Sequence, residues 1–229
     1  MKILIVDSDQ MLAKNVKYSM QQDDYSVVLC DDTGEALKRV KSNSYDIVLT
    51  DIEMQQKQDF TFIQDIRRVS DIPIIVISKN NEDINKILAL EYGADDYVVK
   101  PFNILELKAR IKAIKRRQNT EKQDHNRGDI SFDDYQVKTL GRVLVKGDEV
   151  IPLTGKEFDL LYVLSSNAGK IFTREELMSL VWGYEFYGDL RSVDVHVRRV
   201  RRKIEPSTKH PKYIHTKYGT GYFFKIPED

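Results

Sequence analysis

The stretch that decides the fold reads Asp46-Ile47-Val48-Leu49-Thr50-Asp51. Its centre is a short apolar, β-branched run, which is typical of a strand buried on both faces of a parallel sheet. A carboxylate that follows such a strand lies at the edge of the sheet where open α/β folds place their ligands. We therefore expect Asp51 to lie in a functional site.

Length and composition set the frame for the rest of the chain. The 229 residues are enough for two small domains, each with its own core. The 36 basic and 36 acidic side chains balance, so the total charge neither predicts nor excludes a nucleic-acid partner. Cys30 is the only cysteine, which excludes an intrachain disulfide. The sequence has no secretory signal and no apolar run of bilayer length, so we expect a cytoplasmic protein without a membrane partner.

The pattern changes twice along the chain. In residues 1–118 strand-like and helix-like patterns alternate five times, which predicts a doubly wound, flavodoxin-like α/β domain with a five-stranded parallel sheet. Residues 119–128 contain no aliphatic side chain, and we interpret them as a linker. Residues 129–229 show short strands, three helices and a final hairpin. That order predicts an α+β winged helix-turn-helix domain.

The third helix of the second domain, predicted over residues 192–204 with Ser192 as its cap, separates valines from arginines. On a helical wheel Val193, Val197 and Val200 share one stripe. The opposite side carries Asp194, Val195, Arg198, Arg199 and Arg202. Exposed arginines suit the DNA major groove, where they bond guanine edges, and a valine can contact a thymine methyl group. A merely solvated face would mix charges of both signs, whereas this region is almost entirely basic.

Polar side chains also collect at one edge of the predicted parallel sheet. Asp7, Asp51 and Ser78 lie at the ends of three strands, and Lys100 follows the last strand. Carboxylates gathered in this way suit Mg²⁺. An aspartate beside Mg²⁺ can attack a phosphoryl group while the metal and Lys100 offset the charge that develops. In the alternative interpretation, acids at strand ends only cap the helices that follow.

An enzyme is the competing hypothesis. The stretch Ile3-Leu4-Ile5-Val6-Asp7-Ser8-Asp9 resembles the D-x-D motif of haloacid-dehalogenase-like phosphatases. However, the candidate acidic pair Asp95-Asp96 precedes its strand, and Met11 replaces the usual threonine or valine. A phosphatase would also leave Asp51 and the arginine-rich helix without a role. We therefore expect a regulator and not an enzyme.

Together these segments resemble two-domain response regulators of the OmpR/PhoB type. The resemblance in the first domain rests on Ile3-Leu4-Ile5-Val6-Asp7, Asp46-Ile47-Val48-Leu49-Thr50-Asp51, Pro73-Ile74-Ile75-Val76-Ile77-Ser78 and Gly93-Ala94-Asp95-Asp96-Tyr97-Val98-Val99-Lys100-Pro101-Phe102. In the second domain it rests on Leu153-Thr154-Gly155-Lys156-Glu157-Phe158-Asp159-Leu160-Leu161, Val181-Trp182-Gly183-Tyr184, Val193-Asp194-Val195-His196-Val197-Arg198-Arg199-Val200-Arg201-Arg202-Lys203 and Gly219-Thr220-Gly221-Tyr222. The stretch 181–205 is most similar to the WalR/YycF branch.

The resemblance implies roles for the residues of the first domain, the receiver. Asp51 would accept a phosphoryl group from a sensor histidine kinase. Asp7 and Asp51 would bind Mg²⁺ together with the backbone carbonyl of Glu53. Ser78 would turn to the phosphate while Tyr97 rotates inward. Lys100 would contact the phosphate, and the bond to Pro101 would be cis.

The resemblance also implies two interaction surfaces. A two-fold dimer face of the receiver would comprise Lys86, Asp95, Asp96, Glu106, Arg110 and Arg117. Promoter DNA with tandem half-sites would be contacted by Arg191, Asp194, Val195, His196, Arg198, Arg199, Arg201, Arg202, Thr216, Lys217, Tyr218 and Gly219. The helix would enter the major groove and the hairpin tip the minor groove. RNA polymerase is a further expected partner.

Three positions depart from the family pattern. Ser8 stands where a second acid is usual, and a hydroxyl is a poorer Mg²⁺ ligand than a carboxylate. Residues 55–59 lack the usual proline and glycines. Tyr218 replaces an arginine at the hairpin tip, and a neutral ring cannot read a narrow minor groove as arginine does. Two hypotheses follow: Asp51 is phosphorylated with weakened Mg²⁺ dependence, or the domain is a pseudo-receiver that acts without phosphate.

Overall fold

The computed structural model describes residues 1–42, 44–53, 60–120, 128–183 and 189–226; for residues 116–120 it describes the backbone alone. The chain folds into two compact units, Met1–Lys115 and Arg116–Asp229. Of the predicted linker, residues 119 and 120 end the last helix of the receiver, and residues 121–127 lie outside the described residues. No helix among the described residues combines the length and apolar character needed to cross a membrane.

The receiver alternates strand and helix, as predicted. Its elements are β1 (Lys2–Val6), α1 (Gln10–Gln21), β2 (Ser26–Cys30), α2 (Thr33–Ser42), β3 (Ile47–Thr50), α3 (Thr61–Arg67), β4 (Ile74–Ser78), α4 (Asp83–Glu91), β5 (Asp96–Val99) and α5 (Ile104–Thr120). The five strands are parallel in the order β2-β1-β3-β4-β5. The doubly wound fold is therefore confirmed.

The register of these strands places the polar side chains at one edge. Val6 pairs with Thr50, so Asp7 and Asp51 follow neighbouring strands at the same level. Ser78 pairs with Val99, which brings Lys100 to the end of β5 beside the end of β4. Strands β1, β3, β4 and β5 are almost completely buried in an aliphatic core, whereas the edge strand β2 is partly exposed. This rigid core holds the strand ends, and therefore the site, in fixed positions.

The second unit is the predicted winged helix-turn-helix domain. Its elements are β6 (Ile130–Phe132), β7 (Tyr135–Lys138), β8 (Val143–Lys146), β9 (Glu149–Ile151), α6 (Gly155–Ser165), β10 (Phe172–Thr173), α7 (Arg174–Trp182), α8 (Arg191–Ile204), β11 (Ile214–Lys217) and β12 (Gly221–Phe224). Strands β6 to β9 form an antiparallel meander, and β10, β12 and β11 form a second sheet. The short strand β10 was not predicted, because two residues give no periodic signal.

Local sequence explains where the helices of this unit begin. Thr154 and Thr173 each form the predicted capping box, with Glu157 and Glu176 at the third helical position. The prediction that Ser192 caps the third helix is wrong. Helix α8 already begins at Arg191, whose N–H donates to Asp189 Oδ1 at 3.0 Å, and Ser192 is buried inside its first turn.

Candidate functional site

The acidic site of the receiver is closed by a lysine that bridges two carboxylates. Lys100 Nζ lies 2.6 Å from Asp51 Oδ2 and 2.7 Å from Asp7 Oδ2. All three side chains are less than a tenth exposed. The bond between Lys100 and Pro101 is cis, as the resemblance implied. The structure therefore brings together Asp51, Lys100 and Asp7, for which the resemblance predicts roles in accepting the phosphoryl group, contacting it and binding the metal.

Burial and pairing act in opposite directions on these charges. Burial raises the pKa of Asp7 above its ordinary value, and the hydrogen bond from Lys100 only partly opposes that shift. Burial also lowers the pKa of Lys100, but hydrogen bonds to Asp51 and Asp7 outweigh it, so the net pKa is raised. The lysine therefore stays charged and compensates the two buried acids.

The same residues fit Mg²⁺ poorly as they are arranged. Lys100 already occupies one oxygen of each carboxylate. The other oxygens accept backbone N–H groups, Asp7 Oδ1 from Asp9 and Asp51 Oδ1 from Glu53, both at 2.8 Å. Ser8 is exposed and brings no charge. Within the described ranges no group of three or more His, Cys, Asp or Glu side chains is placed to hold a metal ion.

The predicted switch pair is linked by a chain of hydrogen bonds. Ser78 Oγ is fully buried and donates to Glu53 Oε1 at 3.1 Å, while it accepts the N–H of Asn80 at 3.1 Å. The Tyr97 ring lies inward with 9% exposure, and its hydroxyl donates to the carbonyl of Asn80 at 2.8 Å. The side chain of Glu53, expected to act only through its backbone, is thus part of the site. The altered loop at residues 55–59 lies outside the described residues.

The predicted dimer face is largely used within the receiver itself. Asp95 is buried, pairs with Arg67 at 2.7 Å and accepts the N–H of Ile74. Asp96 is buried and pairs with Arg110 at 2.5 Å. Asp95, Asp96 and Arg110, which were predicted for the dimer face, are each less than a twentieth exposed and pair inside the receiver.

The remaining residues of that face differ in what the structure describes. Lys86 is half-buried and lies 3.8 Å from Asp83 on its own helix. Glu106 is half-buried and pairs with Arg110 at 2.5 Å. The side chain of Arg117 lies outside the described residues.

Helix α8 buries more of its surface than the helical wheel predicted. The expectation that Val195 and Arg199 face DNA is wrong, since they are 6% and 8% exposed. Arg199 Nε lies 2.7 Å from Glu157 Oε1 on α6. His196 is fully buried, and its ring packs edge-on against Trp182 with centroids 4.9 Å apart. These three side chains hold α8 against α6 and α7, so in this arrangement they are not available to bases.

Other predicted DNA contacts do lie on accessible surface. Arg191, Arg198 and Arg202 are exposed along α8. Asp194 is half-buried: Arg174 Nε and the Tyr222 hydroxyl each donate to its Oδ1 at 2.7 Å. We call Arg191, Arg198 and Arg202 the exposed arginine row of α8.

Arg201 connects α8 to the hairpin β11–β12. Its guanidinium donates to the carbonyl of Ile214, from Nη2 at 2.7 Å and from Nε at 3.0 Å, and Nη2 donates to Thr216 Oγ1 at 2.9 Å. Arg201 and Thr216 are both half-buried. Both were predicted as DNA contacts, and the structure gives them a second role in joining helix and hairpin.

The hairpin tip projects an uncharged ring. Tyr218 is 92% exposed, between the exposed residues Lys217 and Gly219. At the base of the hairpin, a Cβ on Gly221 would lie 1.9 Å from the carbonyl oxygen of Phe172, so only glycine lets β12 pair with β10 there. The pairing of β12 with β10, which requires glycine at position 221, therefore fixes the base of the hairpin whose tip is exposed.

Sequence reasoning missed Glu157 as a central residue of this unit. Its side chain is fully buried and accepts hydrogen bonds from Thr154 N–H at 2.8 Å and Lys203 Nζ at 2.6 Å, both to Oε2. Burial alone would raise the pKa of Glu157, but Arg199 and Lys203 lower it to about 2 from an ordinary 4.5. The capping-box spacing was visible in the sequence, but nothing there showed that this glutamate is buried and needs cations from α8.

Comparison with known families agrees with this division into two units. Residues 3–112 match the family described as response regulator receiver domain. Residues 147–224 match the family described as transcriptional regulatory protein, C terminal. The receiver match includes every residue of the acidic site, and the second match includes α8 and the hairpin.

Solved structures of whole chains are also similar. A RitR mutant in which a cysteine is replaced by serine is 26% identical over 99% of both chains, with a TM-score of 0.80. The response regulator DrrB of Thermotoga maritima, described as an OmpR/PhoB homologue, is 30% identical over 98% of both chains, with a TM-score of 0.51. A protein from streptococci, described among redox sensors that evolved from two-component response regulators, is 26% identical over 99% of both chains, with a TM-score of 0.50.

Proposed function

The chain belongs to the OmpR/PhoB-type response regulators, and from this premise we propose that it binds promoter DNA through α8 and the β11–β12 hairpin under the control of Asp51. The observation that carries the DNA-binding part is the exposed arginine row of α8, Arg191, Arg198 and Arg202. A phosphorelay from a histidine kinase to Asp51 supplies the control. The exposed apolar side chains Ile84 and Leu105 on α4 and α5 support a receiver homodimer. Tandem half-sites and RNA polymerase as a further partner are proposed from the family alone.

The proposed DNA interface combines two kinds of contact. The exposed arginine row would bond guanine edges or phosphates in the major groove. The hairpin tip would reach the minor groove with Lys217 as the charge and Tyr218 as an uncharged ring. Because Arg199 and Val195 are buried, we propose that the exposed side chains of Arg198 and Arg202 contact the bases instead.

The first prediction concerns these two arginines. We expect Arg198→Ala and Arg202→Ala each to weaken binding to a specific promoter fragment by about 1–3 kcal/mol if the side chain contacts a base, or to reduce the salt slope by about one if it contacts a phosphate. Lys138→Ala, which removes the same charge from an exposed position on β7, is the matched control. Gel retardation at several salt concentrations measures both quantities. Variants that bind like Lys138→Ala would refute the placement of α8 in the groove.

The proposed role of Asp51 rests on its contact with Lys100. A phosphoryl group on Asp51 adds negative charge at a buried position, and a cation 2.6 Å away offsets that charge. Ser78, on the neighbouring strand, supplies a hydroxyl for a phosphoryl oxygen. These residues could receive a phosphoryl group without rearrangement of the sheet, and Ser78 would exchange its hydrogen bond to Glu53 for one to the phosphoryl oxygen.

The second prediction tests phosphorylation directly. Incubated with a small-molecule phosphodonor, the wild-type protein should gain the mass of one phosphoryl group, and Asp51→Asn should gain none. Asp9→Asn is the matched control, because Asp9 is exposed and only caps α1. Intact mass is recorded with and without Mg²⁺, and the poor fit of the site to Mg²⁺ leads us to expect a small difference. A wild-type mass that stays unchanged under both conditions would exclude Asp51 as phosphoacceptor.

A second candidate function is regulation without phosphate. Ser8 in place of an acid, and the Tyr97 ring already lying inward, favour a pseudo-receiver whose active arrangement is built into the chain. Redox control, which the description of the streptococcal relative raises, is not supported by Cys30. Its thiol is 7% exposed, its Sγ donates to the carbonyl of Asp32 at 3.1 Å, and burial raises its pKa, so the reactive thiolate is disfavoured.

A further inference from the structure

The Glu53 carboxylate accepts the hydrogen bond that a phosphoryl group on Asp51 would receive from Ser78. In a phosphorylated receiver, Ser78 would donate its hydroxyl hydrogen to an oxygen of the phosphoryl group on Asp51. Here that hydrogen goes to Glu53 Oε1 at 3.1 Å. A carboxylate oxygen resembles a phosphoryl oxygen in the two properties that matter, negative charge and acceptor capacity.

The consequences of that contact extend to Tyr97 through one residue. Asn80 donates its N–H to Ser78 Oγ at 3.1 Å, and its carbonyl accepts the Tyr97 hydroxyl at 2.8 Å. Ser78 is fully buried and Tyr97 is 9% exposed, so these contacts are shielded from water. The sequence Glu53–Ser78–Asn80–Tyr97 therefore forms a continuous hydrogen-bonded chain from the acidic site to the inward ring.

We propose that the Glu53 carboxylate is a built-in substitute for a phosphoryl oxygen at Ser78, and that it holds Tyr97 inward in the protein that carries no phosphate. This deepens the second candidate function, regulation without phosphate, and it rests on Ser78 and Tyr97 acting as the switch. Glu53 is a positioning residue, because its carboxylate bonds Ser78, and the hydrogen bonds continue from Ser78 through Asn80 to Tyr97. It makes the active arrangement the resting one.

Glu53 and a phosphoryl group on Asp51 compete for the same donor. A serine hydroxyl has a single hydrogen to donate, so it bonds either the carboxylate or the phosphoryl oxygen. Phosphorylation of the wild-type protein therefore exchanges one anionic acceptor for another and changes the position of Tyr97 little. In a protein without the Glu53 carboxylate, the position of Tyr97 depends on phosphate.

The third prediction uses the full chain with 3-fluorotyrosine incorporated at position 97 and observed by ¹⁹F NMR. Without phosphodonor, Glu53→Ala should shift the equilibrium toward an outward ring by about tenfold, the size expected for loss of a charge-assisted hydrogen bond. Glu53→Gln, which keeps a carbonyl acceptor, should retain much of the inward signal. Glu82→Ala is the matched control, because Glu82 is an exposed glutamate of the β4–α4 loop that does not bond Ser78.

Two further measurements separate this role from a general structural one. Ser78→Ala should have the same effect as Glu53→Ala, and the double variant should add nothing, since both remove one contact. A small-molecule phosphodonor should return the Glu53→Ala signal inward and leave the wild type unchanged. An inward signal in Glu53→Ala without phosphodonor, equal to that of Glu82→Ala, would overturn the proposal. If the phosphodonor adds no mass to Asp51, the phosphorylation proposal fails, and the arm without phosphodonor still decides the role of Glu53.

Discussion

Replacement of Glu157 by glutamine should destabilise the winged-helix domain by about 4 kcal/mol, since breaking a buried ion pair leaves the partner charge uncompensated. Glutamine keeps the size of the side chain and still accepts the Thr154 N–H. It removes the negative charge that Arg199 and Lys203 approach at 2.7 and 2.6 Å. The variant therefore separates the effect of the negative charge on stability from the effect of the hydrogen bond that caps α6.

The chain offers a matched control in the same domain. Glu176 forms the second capping box but is exposed, so Glu176→Gln should cost about 1 kcal/mol or less. Trp182 is the only tryptophan and is fully buried beside His196, so its fluorescence reports unfolding of this domain alone. Equal urea midpoints for the two variants would show that the buried charges contribute nothing to stability.

The same fourth prediction has a pH signature. The folded pKa of Glu157 is about 2, below its ordinary 4.5, so the stabilisation from its charge is complete above pH 4.5 and is lost as the pH falls toward 2. By linkage the pKa difference corresponds to roughly 3 kcal/mol. The gap between wild type and Glu157→Gln should therefore narrow on acidification, which urea titrations along the pH scale would follow.

The fifth prediction is that Lys100→Met destabilises the receiver by about 3 kcal/mol, because it leaves two buried carboxylates without their cation. Asp7 already has a raised pKa, and loss of the lysine raises it further. A carboxyl group whose folded pKa is raised loses stability as the pH rises, so the variant should be more stable at acidic than at neutral pH. Wild type should show a weaker trend of the same sign, because Lys100 partly opposes the rise in the pKa of Asp7.

Lys86→Met is the matched control for that experiment. Lys86 is a half-buried lysine of α4 at 3.8 Å from Asp83, and such a pair contributes about 1 kcal/mol at most. Hydrogen exchange of the β3 and β5 amides measures the stability of the receiver separately from the second domain. If these amides exchange at the same rate in Lys100→Met and in Lys86→Met, the bridge that Lys100 forms between Asp7 and Asp51 is not a stabilising contact.

The acidic site could be predicted from the sequence because strand ends are easy to place. Asp7, Asp51 and Lys100 each adjoin a short apolar run, and in a parallel sheet the carboxyl ends of the strands share one edge. No pattern in the sequence revealed the side-chain role of Glu53. It follows from the contact of Glu53 with Ser78, 25 residues further along the chain, which is tertiary information.

The face of α8 was predicted less well, for a physical reason. A helical wheel assumes one buried stripe, but α8 packs against more than one neighbour, so Val195 and Arg199 are buried on a second side. The burial of Asp95 and Asp96 was not visible in the sequence for a similar reason, because nothing there pairs them with their partners Arg67 and Arg110.

The hydrogen bonds from Arg201 to Ile214 and Thr216 hold α8 and the β11–β12 hairpin at a fixed distance from each other. Helix α8 and the hairpin would contact adjacent grooves of a duplex, and the protein fixes the distance between these two contacts. Each base pair added between the two gripped segments rotates one against the other by roughly 35°, given 10–10.5 base pairs per turn. The winged-helix domain would therefore discriminate between half-sites by the number of base pairs between the two contacted segments, even where no side chain touches a base.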